Sequence, residues 1–269
     1  MSVPSKAVER IKSSLKRFQP ILQSAKAKDS NESDTVTIVT DMLEYVFGYD
    51  KYADITSEYS IRGTYCDLAV KIDGNIVILI EVKAIGLELK EPHVKQAIDY
   101  AANKGIEWVG LTNGVSWRIY KVGFGKPITS GIVVEFDMLQ LSHKNSEDIE
   151  KLALLAKEGH KKAKLQEYHS YRQVLNRFTV AALLLSDSVI STIRKELRRT
   201  ASDVKVTNEE IKAVLENEII KREVIEGDKA TQAKRLVSRS EKNLLRKSMK
   251  TSLQDNSEQS QGEEKIATS

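Results

Sequence analysis

The chain has 269 residues, 41% hydrophobic and 30% charged, with 42 Lys and Arg against 38 Asp and Glu. That length can bury one or two domain cores, and the mix suits a soluble globular chain rather than a fibrous or low-complexity one. A formal net charge of +4 is too small to identify a polyanionic partner, so the distribution of charge matters more than its sum. The single cysteine, Cys66, excludes an intramolecular disulfide framework. Together with the scattered His93, His143, His160 and His169 it offers no zinc-ligand spacing. No apolar run approaches the roughly 20 residues that span a bilayer, and no signal-peptide core opens the chain. A cytoplasmic protein without a membrane partner is expected.

From Ser5 to Lys28, Val8, Ile11, Leu15 and Phe18 recur at helical spacing, with Lys6, Arg10, Lys12, Lys16 and Arg17 between them. The spacing predicts a basic amphipathic helix within residues 1–33, broken or kinked at Pro20. Its charged side reads either as a solvated face or as a contact to phosphate. Residues 29–34 form a polar linker that supplies an N-cap. Val36, Val39, Leu43, Val46 and Phe47 then predict a second helix, ended by Gly48.

Strand patterns follow over 54–61, 65–72 and 76–82, the last two joined by Asp73-Gly74-Asn75, a tight-turn signal that predicts an antiparallel hairpin. Glu91-Pro92 opens a helix that runs to about Lys104 before Gly105. Residues 108–111 and 115–122 predict strands joined through Asn113-Gly114, and 132–136 an edge strand. The fold class expected for 34–141 is α/β, a mixed central sheet flanked by helices. From 145 to 250 only helical spacing recurs, with Thr207-Asn208-Glu209-Glu210 as a capping box. Residues 231–250 hold seven Lys and Arg against one acid, Glu241. The Ser/Gln/Glu-rich stretch 251–269 is expected to be a disordered tail.

The chemistry concentrates in Cys66-Asp67-Leu68-Ala69 and Ile80-Glu81-Val82-Lys83. Residues two apart on a strand share a face, so Glu81 and Lys83 project together while Ile78, Ile80 and Val82 face the core. The hairpin at Asp73-Gly74 returns the preceding strand alongside and brings Asp67 near Glu81. Two converging carboxylates make an oxygen site suited to Mg2+, with Mn2+ as the substitute. Such an ion stabilises charge on a scissile phosphate, and Lys83 is placed to orient or deprotonate a water or to neutralise developing charge. The bland alternative, an isolated acid and a Glu-x-Lys pair, occurs in many proteins by chance.

Together with Gln96-Ala97-Ile98-Asp99-Tyr100, Leu111-Thr112-Asn113-Gly114 and Trp117-Arg118-Ile119-Tyr120, these motifs resemble the nuclease domain at the N-terminus of type I restriction enzyme R subunits, within the PD-(D/E)xK restriction endonuclease-like superfamily. The resemblance implies a restriction endonuclease-like core, metal ligation by Asp67 and Glu81, and completion of the catalytic site by Lys83. It also implies site support or DNA contact from Gln96 and Tyr100, one helical face apart, for which ordinary packing is the alternative. Glu44, on the helix before the sheet, is a further candidate metal ligand, with a surface charge as its alternative; Glu58 stands behind it. Cys66 reads as a small core residue, Asn113-Gly114 as a turn, and Trp117 and Tyr120 as core. No Gly-x-x-x-x-Gly-Lys-Ser/Thr run is present, so no motor is expected. The resulting expectation is a stand-alone Mg2+-dependent DNA endonuclease with a role in defence or DNA processing. Its rival is a catalytically silent nucleic-acid-binding or assembly module of the same fold. A homodimer through the helical C-terminal region is the oligomer expected.

Overall fold

The computed structural model describes residues 4–61, 64–201 and 205–243. It divides into two compact units, residues 1–169 and a second that begins at Ser170.

The first unit is built on a six-stranded sheet in chain order: β1 (Ile55–Ile61), β2 (Thr64–Ile72), β3 (Asn75–Val82), β4 (Trp108–Thr112), β5 (Ser116–Gly123) and β6 (Thr129–Asp137). Only β3 and β4 are parallel, with Glu81 opposite Leu111 and Val82 opposite Thr112; every other neighbouring pair is antiparallel. Asp73 and Gly74 both have positive φ, 51° and 82°, the backbone of a type I′ turn whose twist matches that of the β2–β3 hairpin. A parallel pair needs a long crossover, which here is helix α3 (Pro92–Lys104). Pro92 occupies its first turn, and Gly105 ends it at φ 70°.

Strand alternation sorts the side chains onto two faces. Leu68, Val70, Ile78, Ile80, Val82, Trp117 and Ile119 face one core with helices α1 (Ser5–Ala27) and α2 (Glu32–Tyr45). Ala69, Leu79, Val109, Leu111, Tyr120 and Val122 face the other with α3. Helix α4 (Ser146–Ala153) and the Leu154, Leu155 and Ala156 that follow it join the first core; helix α5 (Lys157–Lys161) comes next. The unit therefore extends on both sides of the expected 34–141 segment, because α1 and α4 bury their apolar residues in the same layer.

Pro20 does not break α1, since the helix continues to Ala27. Pro20 and Lys16 are both exposed, so water can satisfy the Lys16 carbonyl that the missing N–H leaves free. The basic face of α1 is partly engaged within the fold. Arg10 makes a two-pronged ion pair with Glu158 at 2.7 and 2.9 Å and donates to the Val46 carbonyl, while Arg17 stacks over Tyr45. The polar linker is shorter than expected: Asn31 caps α2 by accepting from the Asp34 N–H, and the helix starts at Glu32.

The second unit is helical. α6 (Lys164–Val174) bridges into it, followed by α7 (Arg177–Leu184), α8 (Asp187–Thr200), α9 (Asn208–Val214), a π turn over Leu215–Ile219, α10 (Arg222–Ile225) and a helix α11 over 228–243. Thr207 and Glu210 form the expected capping box. Ile190, Ile211 and Leu215 form one small core, and Ala182, Ala233 and Val237 another. Of the basic segment, Lys234, Arg235, Arg239 and Lys242 fall on α11; Arg246, Lys247, Lys250 and the 251–269 tail lie outside the described residues. Among the described residues no helix is long and apolar enough to cross a membrane.

Candidate active site

β2 and β3 bring three charged side chains to one margin of the sheet. Glu81 shares the parity of Leu79, which faces α3, Asp67 stands on β2 where its pairing with β1 is irregular, and Lys83 directly follows the last residue of β3. The Lys83 Nζ lies 2.9 Å from the Glu81 Oε1, and both side chains keep only 17% of their exposure. The Asp67 Oδ2 accepts the Val82 N–H at 2.6 Å. That bond fixes one carboxylate against the backbone of the strand that carries the other.

The fourth charge at this margin is Glu32, which the sequence reading treated only as part of a polar linker. Its Oε1 lies 3.4 Å from the Lys83 Nζ. Glu32 arrives because the connector before α2 docks on the segment after β3. The Ile85 N–H donates to the Ser30 carbonyl at 3.4 Å, and Gly86 leaves room for the Asp29 carboxylate, which any Cβ there would strike. A carboxylate in the first turn of α2 is also favoured by the helix dipole.

Burial sets the electrostatics. Loss of water pushes the Asp67 carboxyl above its ordinary range, against the lowering effect of the Val82 N–H and Lys83, and the charges of Glu32 and Glu58 add to the rise. Glu81 is likewise pushed up, first by burial and then by Asp67 and Glu32, with Lys83 pulling the other way. Burial draws the Lys83 ammonium down, but the Glu81 hydrogen bond and the charges of Glu81, Glu32 and Asp67 outweigh it and hold the amine above its usual value. Lys83 is therefore a firmly protonated cation between acids. Cys66, beside Asp67, is buried and donates to the Ile80 carbonyl at 3.3 Å. Burial, then Glu81 and Asp67, push its thiol up to about 12, which suits a core residue and not a nucleophile.

Glu58 sits at a distortion in β1. The β1–β2 pairing passes from Ser57–Leu68 to Tyr59–Cys66 and leaves Glu58 and Asp67 out of the regular ladder. Glu58 takes φ 49° there, a left-handed conformation that an L residue adopts at a cost.

The other expected site residues are placed differently. Glu44 lies near the far end of α2, about 18 Å along the helix axis from Glu32 at 1.5 Å per residue. Its charge acts on Lys51, so the structure does not bring it to Asp67 and Glu81. Tyr100 is buried in the layer between α3 and the sheet, and Gln96, one turn earlier, is exposed. α3 runs back from the Lys83 end of β3, so Gln96 is the nearer of the two to that end.

Asn113 and Arg118 do more than the sequence indicated. The buried Asn113 accepts the N–H groups of Val115 and Ser116 through Oδ1, at 3.2 and 2.7 Å, and donates Nδ2 to the Leu87 carbonyl at 2.9 Å. Arg118 donates to the Leu89 carbonyl at 2.8 Å. The β4–β5 hairpin thereby clamps the segment 84–91, which leaves the site directly after Lys83. Gly114, at φ 82°, makes the turn, and its carbonyl receives the Trp117 Nε1–H at 3.1 Å.

A mixed sheet flanked by helices, with two acids and a lysine gathered on adjacent strands at one edge, defines an α/β domain with a charged site at a strand end. Residues 37–132 match the family described as type I restriction enzyme R protein N terminus. No curated protein and no solved structure matches the chain.

Proposed function

We propose that Asp67, Glu81 and Lys83 form the active site of a divalent-metal-dependent endonuclease that hydrolyses phosphodiester bonds in DNA. The observation that carries the reading is the Lys83–Glu81 pair at 2.9 Å, next to an Asp67 held by the backbone of the same strand. The match of residues 37–132 to a restriction-enzyme domain family supports a restriction-enzyme-like role and DNA as the substrate.

The donor set fits a hard cation. Asp67 and Glu81 offer only oxygens, and both carboxyls are pushed up by burial, an imbalance that a dication relieves. Among the described residues no group of three His, Cys, Asp or Glu is arranged to hold a metal. Mg2+ requires no such cage, because it retains several waters and is bound through one or two carboxylates. When bound, the ion supplies Lewis-acid stabilisation of charge on the phosphate. Lys83, protonated and directed by Glu81 and Glu32, donates hydrogen bonds to an attacking water or to the phosphate oxygens, and neutralises charge as the new P–O bond forms. Its raised pKa favours this electrostatic role over proton abstraction. The strained Glu58 backbone beside Asp67 fits the tendency of strain to collect at functional positions.

The test is cleavage of supercoiled plasmid with Mg2+ or Mn2+. Nicking or cutting that EDTA abolishes is expected, with the rate falling at least about 100-fold in Lys83→Ala and Asp67→Ala. Metal-dependent cleavage that persists unchanged in both variants refutes the site. A wild-type protein that shifts DNA on a gel yet never cleaves it supports a binding role in place of catalysis.

A further inference from the structure

In the helical unit, Arg194, Arg198 and Lys205 line one open groove with Val206, Thr207, Asn208 and Glu209, enclosing about 610 Å3. Arg194 and Arg198 are four residues apart on α8 and therefore neighbours on one helix face. The segment leading into α9 brings Lys205 to the same space. Ion pairs of this unit engage other basic residues: Arg177 with Glu223, Arg199 with Glu196, and Arg222 with Glu226. Among the described residues no ion pair reaches Arg194, Arg198 or Lys205. Glu196 is engaged by Arg199, and Glu210 by the Thr207 N–H and hydroxyl. Among the described residues Glu209 is the one carboxylate on the lining, which leaves an excess of two positive charges among them over a concave surface. Like charges held together without acidic partners cost stability, and a bound anion relieves that cost.

We propose that this groove is a phosphate-binding site that takes backbone phosphates of nucleic acid. Arginine forks match phosphate oxygens in two-pronged geometry, and concave cationic surfaces concentrate polyanions. The proposal rests on the nucleic-acid reading above but requires no catalysis, and it assigns the helical unit a share of substrate affinity that carries no sequence information.

The experiment is a salt titration of binding to a fluorescent duplex in EDTA, with the whole chain. Each phosphate contact contributes about 0.9 to the slope of log K against log salt. The net excess of two charges therefore predicts that Arg194→Ala/Arg198→Ala/Lys205→Ala lowers the slope by about two and weakens binding roughly tenfold near physiological salt. The matched control is Lys212→Ala/Lys221→Ala/Lys229→Ala, which removes the same charge from the same unit outside the groove and should act less. Melting should not drop in the groove variant, because no ion pair is lost. If it does drop, Arg198→Gln/Lys205→Gln, both exposed side chains, carries the test. An equal loss in the control, an unchanged slope in the groove variants, or a wild-type protein that fails to bind duplex at low salt overturns the proposal. Binding is read in EDTA and apart from cleavage, so a failed cleavage reading leaves a distinct signature: an inert protein whose binding still depends on the groove.

Discussion

Replacing Asn113 with alanine tests whether the β4–β5 hairpin holds the segment that leaves the candidate active site. The side chain makes three hydrogen bonds, two inside its own turn and one across to Leu87. At about 1 kcal/mol each, with polar groups left unpaired in a buried place, Asn113→Ala should cost about 3 kcal/mol. For a unit of this size that corresponds to a fall of about 6–12 °C in melting temperature. Asn113→Asp separates the two roles: its oxygens still accept from Val115 and Ser116, while the Leu87 carbonyl loses its donor. Hydrogen exchange across residues 84–91 should accelerate in both variants, and plasmid cleavage should fall with it, because Lys83 abuts the loosened segment. An Asn113→Ala protein that melts within about 2 °C of wild type, with exchange across 84–91 unchanged, refutes the clamp.

Two further predictions concern charge. The fold holds the Asp67 carboxyl above its ordinary range, so the folded state binds the proton more tightly than the unfolded chain. Its contribution to stability is therefore intact below the ordinary carboxylate pKa and is lost as pH rises through the raised folded value. Asp67→Asn keeps an oxygen for the Val82 N–H and should melt higher than wild type at neutral pH in EDTA, with the gap closing below about pH 4; a lower melting point at neutral pH defeats the argument. Glu32 raises Asp67, Glu81 and Lys83 alike, so Glu32→Gln should move the acid limb of the pH–rate profile to lower pH. A limb that stays in place means Glu32 does not act on the carboxylates.

The strands were legible because period-two alternation and the turn pairs Asp73-Gly74 and Asn113-Gly114 are local signals. The convergence of Asp67, Glu81 and Lys83 followed from the same rules, since strand parity and one hairpin suffice to place them. Glu32 was not legible. Its approach depends on Ser30 meeting Ile85 and on Gly86 admitting Asp29, contacts between segments more than fifty residues apart in sequence. Glu44 misled for the same reason: position on a helix before the sheet does not reveal which end of that helix faces the strand termini. Pro20 does not end α1, because an exposed helix face tolerates a missing hydrogen bond that a buried one does not. Asn113 read as a turn residue, and only tertiary packing shows that its free amide crosses to Leu87.

One consequence follows from how the sheet is covered. Helix α1 lies wholly before residue 37, yet Ile11, Leu15, Phe18 and Leu22 sit in the same core as Val39, Trp117 and Phe136. A fragment excised at the limits of the family match would lose the opening turn of α2, and Glu32 with it, and would wet a large apolar area on the sheet. The matched segment and the piece that shares one core are therefore different lengths of chain, and transplanting this charged sheet edge into another protein means carrying its N-terminal helix along.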